Sequence, residues 1–211
     1  MIKKDTQGVT FAKGFTAAGV KAGIKKSGNL DVAVIYTKTQ AVVAGTFTQN
    51  KVAAAPVYVS KEVVATGTAH AIVANAGCAN ACTGQQGLDD AHKMAQIAAD
   101  ELGVNADDVI VGSTGVIGVN LPMDKLEAGI KDAVANLSAD GSGNAGRAII
   151  TTDTHSKSVT CEFELSGKTV RMGAIAKGSG MIRPNMATML CYITTDIAID
   201  QTLLQKAAIN G

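Results

Sequence analysis

The 211 residues are 46% apolar and carry a net charge of +1, enough hydrophobic material for a core and too little charge bias for a nucleic-acid or membrane-surface protein. Aromatics make up only 3%, which argues against a surface built to stack on bases, and the abundance of Ala, Val, Gly and Thr favours closely packed sheets and small-residue helices. Cys78, Cys82, Cys161 and Cys191 form no Cys-x-x-Cys pair and have no histidine at a zinc interval, so they read as small thiols, and no metal or cofactor is expected. The start lacks the apolar run of a signal peptide, and no stretch approaches the roughly 18 apolar residues of a membrane span. The expectation is a cytoplasmic protein with one domain over residues 1–211.

A Gly-, Ala- and Lys-rich stretch at 10–24 comes first. Residues 31–36 then read as a strand, 37–40 as a polar turn and 41–47 as the hairpin partner, both runs apolar enough to be buried on two faces. The segment 47–57 is a polar turn leading to an apolar piece closed by Pro56, with Lys51 as a solvated charge. A third buried strand follows at 69–75. The small-residue loop 75–84 permits either close approach of a ligand or tight packing of strand on helix. Ala91, Met94, Ile97, Ala98 and Leu102 fall on one face of a helix over 88–102 that stops at Gly103, with His92 on its polar side. A second helix starts near Pro122 and carries Leu126, Ile130, Ala133, Val134 and Leu137. Residues 138–146 read as a flexible glycine-rich loop and 148–154 as a strand ending in hydroxyls. Val159, Cys161, Phe163 and Leu165 alternate with polar residues, Ser166-Gly167 is a turn, and Val170, Met172 and Ala174 alternate on the return, a hairpin with one buried face. A strand at 189–195 and a helix capped by Asp200 end the chain.

Two stretches carry chemistry. Short strand 108–111 opens into Gly112-Ser113-Thr114-Gly115-Val116-Ile117-Gly118. Glycines on both sides of a Ser-Thr pair turn backbone N–H groups and a hydroxyl toward one point, as an oxyanion hole requires; a phosphate cradle is the competing reading, without the Gly-Lys-Ser/Thr that would support it. The other stretch is Lys177-Gly178-Ser179-Gly180-Met181-Ile182-Arg183-Pro184-Asn185-Met186-Ala187-Thr188-Met189-Leu190, a turn-prone loop running into a strand. At its end the Thr188 hydroxyl could attack the carbonyl of Ala187, and hydrolysis of the ester would leave Thr188 as a new N-terminus with its own general base. Read without any relative, the plainer reading is preferred: Thr188 is the first residue of a buried strand, Lys177 a solvated lysine, and Asp153 a turn residue.

Residues 177–190 resemble the processing site of the ornithine acetyltransferase family, the glutamate N-acetyltransferases of arginine biosynthesis, and 47–57 and 75–84 resemble further signatures of that family. The resemblance implies self-cleavage between Ala187 and Thr188, into 1–187 and a second chain beginning at Thr188. It implies an αββα layered sandwich, in the α/β (α+β) class, similar to N-terminal-nucleophile hydrolases. It also implies acetyl transfer from N-acetylornithine to glutamate through acetyl-Thr188, with Thr114 and Gly115 as the oxyanion donors and Thr151 (Thr152 as its near alternative), Lys177 and Thr188 binding substrate. Some members take acetyl-CoA as donor, and a tetramer of two heterodimers is the assembly the family suggests. Family members are longer than 211 residues, so a catalytically inert fragment is one alternative and an N-terminal-nucleophile amidase or aminopeptidase another.

Overall fold

The computed structural model describes residues 2–4, 7–178 and 189–210. Among these, eight strands form two four-stranded sheets. The first runs β2 (Phe15–Val20), β3 (Val32–Val42), β4 (Thr68–Cys78) and β5 (Val109–Val116) in spatial order, with β4 and β5 parallel and the other pairs antiparallel. The second runs β1 (Ile2–Lys4), β6 (Lys157–Leu165), β7 (Lys168–Lys177) and β8 (Leu190–Thr195), all antiparallel. Helices α1 (Ala55–Thr66), α2 (Gly84–Leu102) and α3 (Met123–Ala135) cover one face of the first sheet. Helix α2 supplies the crossover that the parallel β4–β5 pair needs. The result is a mixed α/β sandwich, as the sequence implied.

Period two decides the layers. Val32 and Val34 face the helices and pack with Val73, Val109, Met94, Leu126 and Ile130, whereas Ala33 and Ile35 face the second sheet with Ala17, Ala74 and Ile175. Of the two apolar runs, residues 32–35 are therefore buried on both faces, as expected, whereas 41–47 is not: the strand ends at Val42, which is 42% exposed. Each fully buried Leu or Ile side chain contributes about 2–3 kcal/mol. The expected stripe of α3 is present: Leu126, Ile130 and Ala133 are fully buried, and Val134 and Leu137 pack beside them. The helix expected at 88–102 begins four residues earlier, at Gly84, and ends at Gly103, which takes the left-handed conformation at φ 68°. His92 is exposed, as its polar neighbours indicated.

Several expectations are corrected. Residues 37–40 do not turn: β3 runs straight through them, with a register shift between Tyr36 and Ala41, and its antiparallel partners are β2 and β4. Thr37, Lys38, Thr39 and Gln40 include none of the Gly, Asn or Asp that a tight hairpin turn favours. Pro56 does not close an apolar piece; it sits at the start of α1, where its missing N–H costs nothing. The β-branched content of α1 hid the helix, and packing against β5 overrides propensity there. The glycine-rich stretch 138–146 contains the start of α4 (Ser142–Ala148), and 149–156 is irregular and not a strand. Its glycines serve closeness: a Cβ on Gly141 would lie 1.7 Å from the Ala17 carbonyl oxygen, and one on Gly19 would lie 2.2 Å from that of Asn144. Ala17 and Ser138 exchange backbone hydrogen bonds at 3.0 and 3.1 Å, which fixes that approach.

The 157–177 hairpin forms as read, turning at Ser166 (φ 50°) and Gly167 (φ 72°). The more buried face is the other one, however: Thr160, Gly173 and Ile175 point inward while Val159, Phe163 and Leu165 are exposed, and of the expected positions only Val170 is buried. Asp200 caps α5 (Gln201–Asn210), its Oδ1 accepting the N–H of Thr202 at 2.8 Å. No helix among the described residues is long and apolar enough to cross a membrane.

Candidate active site

The glycine-flanked Ser-Thr pair lies inside β5 and not in a loop after it, because β5 continues to Val116. Gly115 sits at φ +138°, opposite Gly77 of β4 at φ +117°. A Cβ on Gly115 would lie 2.3 Å from the Gly77 carbonyl carbon and 2.6 Å from the Cys78 nitrogen, so the closeness of the strands requires Gly115, whereas a Cβ on Gly77 would press on Ile24 at 3.0 Å. Fully buried Asn75 braces this end: its Nδ2 donates to the Cys78 carbonyl at 3.0 Å, and its Oδ1 accepts from the Ser113 hydroxyl at 2.6 Å. Asn80 turns at φ 48° and donates to the Gly87 carbonyl at 2.8 Å. Of the two readings of 75–84, tight packing of strand and helix is the one these contacts support.

Thr114 lies on the face of β5 that looks toward the second sheet. There the Lys177 Nζ, at the last position of β7, donates to the Thr114 Oγ1 at 2.8 Å. The bond joins the two sheets, and both residues are buried, Thr114 at 9% exposure and Lys177 at 5%. An ammonium has no acceptor, so the threonine oxygen accepts and its own proton is directed elsewhere. Burial pushes the Lys177 amine below its ordinary value; Asp153 opposes this and Lys157 adds to it. The Lys177 reading as a solvated charge is thereby corrected.

Asp153 completes the group. Its side chain is 4% exposed and ion-paired with Lys157 at the start of β6. Its Oδ1 and Oδ2 accept the Gly178 N–H at 3.1 and 3.4 Å. Burial pushes the Asp153 carboxyl up, but the Lys157 and Gly178 hydrogen bonds and the charges of Lys157 and Lys177 outweigh it, and the net shift is downward. The sequence assigned Asp153 only a turn; the missed signal was a carboxylate between Thr152 and Thr154 in a stretch with few other charges.

Thr114, Gly115 and Lys177 thus come together. Thr151 is exposed on the irregular connection, two residues before Asp153. Ala187 and Thr188 lie outside the described residues. The described ends on either side of them are neighbours: β7 stops at Lys177, β8 starts at Leu190, and these two residues are register partners. A cleft of about 520 Å³ lies at the other end of β5, lined by Tyr36, Lys38, His70, Asn105 and Asp108. It shares no residue with the Thr114–Lys177 group, and its Asp108 already accepts from Gln40 at 3.0 Å. The chemistry-bearing residues therefore mark the site better than this cleft does.

Residues 16–210 match the ArgJ family. An "Arginine biosynthesis bifunctional protein ArgJ" of Symbiobacterium thermophilum is 50% identical over 202 residues, 95% of this chain and 50% of the relative. The chain spans about half the length of the curated relatives it matches. The ornithine acetyltransferase of Mycobacterium tuberculosis, solved in complex with ornithine, superposes with a TM-score of 0.81 at 41% identity, covering 90% of this chain and 100% of that one. An L-aminopeptidase D-Ala-esterase/amidase of Ochrobactrum anthropi, described as a variant of the Ntn hydrolase fold, is similar in fold alone, with a TM-score of 0.57 at 13% identity.

Proposed function

The chain belongs to the ArgJ family, and from that premise we propose that it forms the first part of a self-processing acetyltransferase of arginine biosynthesis, a cytoplasmic enzyme. The observation that carries the reading is the buried Lys177–Thr114 hydrogen bond, placed where the chain leaves β7 and returns as β8 around the Ala187-Thr188 junction. In processing, the Thr188 Oγ attacks the Ala187 carbonyl, the amide becomes an ester, and water hydrolyses that ester. The products are a chain ending in the Ala187 carboxylate and one beginning with the Thr188 amine. Chain lengths support this: nine-tenths of this chain matches the whole of the solved M. tuberculosis chain, yet only half of the curated relatives' sequences. A family whose precursor is cut near this point would give that relation.

In turnover, the neutral α-amine of Thr188 takes the hydroxyl proton while Oγ attacks the acetyl carbonyl of N-acetylornithine. Negative charge gathers on the acetyl oxygen. The Thr114 hydroxyl, its lone pair already used by Lys177, and the Gly115 N–H donate to that oxygen. Ornithine leaves with the proton. The amine of glutamate then attacks the acetyl ester, and N-acetylglutamate departs. The Lys177 ammonium and Thr151 bind the substrate carboxylate, and the nearby positive charge favours the neutral form of the terminal amine. The ornithine bound by the M. tuberculosis relative is consistent with that substrate class. Acetyl-CoA serves as a second donor in this reading, and the cleaved chains stay together as a tetramer of two heterodimers.

The test is intact mass and N-terminal sequencing of the full-length protein beside Thr188→Ala, with products analysed with and without glutamate and with acetyl-CoA as donor. The expected result is a new N-terminus at Thr188, an uncut variant, and N-acetylglutamate formed only when glutamate is present. An intact wild-type chain in a well-folded protein would overturn the processing mechanism. Acetate as the main product in the presence of glutamate would replace the transferase by an amidase.

A further inference from the structure

We infer that Asp31 is a positioning residue of this site: its buried carboxylate clamps the turn 22–25 behind Gly77 and so fixes the end of β4 against which Thr114 and Gly115 are registered. The inference rests on the acyl-transfer reading above. Asp31 stands just before β3 and is fully buried. Its Oδ1 accepts the Ala22 N–H at 2.6 Å, and its Oδ2 accepts those of Ile24 at 2.6 Å and Lys25 at 2.9 Å. Its own N–H donates to the Val20 carbonyl at 2.8 Å, and its carbonyl accepts the Ala76 N–H at 2.8 Å. One residue thus binds the end of β2, the turn that follows it and the end of β4.

Those partners adjoin the oxyanion pair. Ala76 and Gly77 are the register partners of Thr114 and Gly115. The turn lies directly against Gly77, where a Cβ would meet the Ile24 Cγ2 at 3.0 Å and the Ile24 carbonyl carbon at 3.1 Å. Gly77 in turn lies directly against Gly115, where a Cβ would meet the Gly77 carbonyl carbon at 2.3 Å. The main chain of Asp31 therefore holds the neighbour of Thr114, and its side chain holds the turn that backs the neighbour of Gly115. A buried carboxylate is costly unless hydrogen bonds meet it, and here three backbone N–H groups form a charge-assisted cradle around one side chain. The Lys25 ammonium donates to the Leu30 and Ala148 carbonyls at 2.5 and 3.1 Å, which ties the same turn to the end of α4. Donors aimed at a developing oxyanion act without reorganising only if their positions are fixed beforehand. The Asp31 clamp supplies that fixity from outside the site.

The experiment compares full-length wild type, Asp31→Asn, Ile24→Ala and, as a stability control at the other end of β5, Gly103→Ala. Asparagine offers one acceptor oxygen where aspartate offers two, so Asp31→Asn leaves at least one of the three N–H groups unpaired. One readout is kcat and KM for acetyl transfer per folded, processed chain, counted by urea denaturation and intact mass. The other is amide hydrogen exchange by mass spectrometry, which needs no turnover. Asp31→Asn is expected to lower kcat by roughly 10- to 100-fold, the range that misplacing a catalytic group produces. KM should stay within about twofold, because the donors act on the transition state. Exchange should quicken at 22–25, 74–78 and 112–116 and stay unchanged in α2. Ile24→Ala keeps the carboxylate but removes the contact on Gly77, and is expected to lower kcat in the same way by a smaller factor. Gly103→Ala should keep both kcat per folded chain and exchange at 112–116. Faster exchange confined to 22–25, an unchanged kcat per folded chain in Asp31→Asn, or an equal fall in Gly103→Ala would overturn the assignment. If Asp31→Asn does not fold or process, Ile24→Ala carries the test, and an unchanged kcat there refutes it. If the wild type transfers no acetyl group, the acyl-transfer reading fails by itself, and the exchange pattern still decides whether Asp31 fixes the end of β5.

Discussion

At the scale of single residues, the Thr114 hydroxyl combines two duties with opposite requirements. It accepts from a buried lysine, which demands an oxygen at that point, and it has a proton left for a developing oxyanion, which demands a hydroxyl. Thr114→Val keeps the shape and removes both. Loss of an oxyanion donor predicts a fall in kcat of about 100- to 1000-fold. Loss of the buried hydrogen bond between Lys177 and Thr114 predicts a stability loss of about 1–3 kcal/mol. Thr114→Ser keeps the hydroxyl and should retain most of the activity. Steady-state kinetics with urea denaturation of the three proteins checks both parts; a Val variant with near-normal kcat would remove Thr114 from the oxyanion site.

At the scale of elements, glycine has two different uses here. Gly141 has an ordinary φ, so its backbone needs no glycine; the space does, because a Cβ would meet the Ala17 carbonyl oxygen at 1.7 Å. Gly103 is the reverse case: it ends α2 at φ +68° with nothing within 4 Å of a Cβ. Gly141→Ala must therefore force α4 off β2, an overpacking cost of roughly 3 kcal/mol. Gly103→Ala incurs only the left-handed strain, about 1 kcal/mol. The contrast is measured by chemical denaturation, and equal losses at the two sites would refute the close approach of α4 to β2. The same comparison explains why the glycine-rich stretch misreads as a flexible loop. Composition reports conformational freedom, but the need for closeness belongs to the partner.

At the scale of the molecule, the described helices cover only one side of the sandwich. Helices α1, α2 and α3 lie on the outer face of the first sheet, whereas Val159, Phe163, Leu165 and Ile193 stand exposed on the second, Ile193 at 59%. A contiguous apolar face of this kind promotes association. The 211-residue chain is expected to self-associate at micromolar concentration, and Phe163→Lys with Ile193→Lys to reduce this without a large loss of stability. Sedimentation velocity reads the first effect and thermal unfolding the second; unchanged association in the double variant would place the sticky surface elsewhere.

The sequence by itself determined the elements whose signal lies within one segment. Helical spacing from Ala91 to Leu102 and from Leu126 to Ala133, alternation through the β6–β7 hairpin and the cap at Asp200 are all readable because a period or a cap involves only residues close along the chain. The Gly-Ser-Thr-Gly pattern likewise marked Thr114 and Gly115 as chemical candidates without a partner in view. Tertiary structure alone decided the rest. It chose the partners of β3, turned the alternating face of the hairpin outward, and brought Lys177 to Thr114 across 63 residues and Gly178 to Asp153 across 25. None of these has a local signature. A lysine is read as solvated, and an aspartate as a turn former, until packing excludes water from both and leaves each a partner that only the fold supplies.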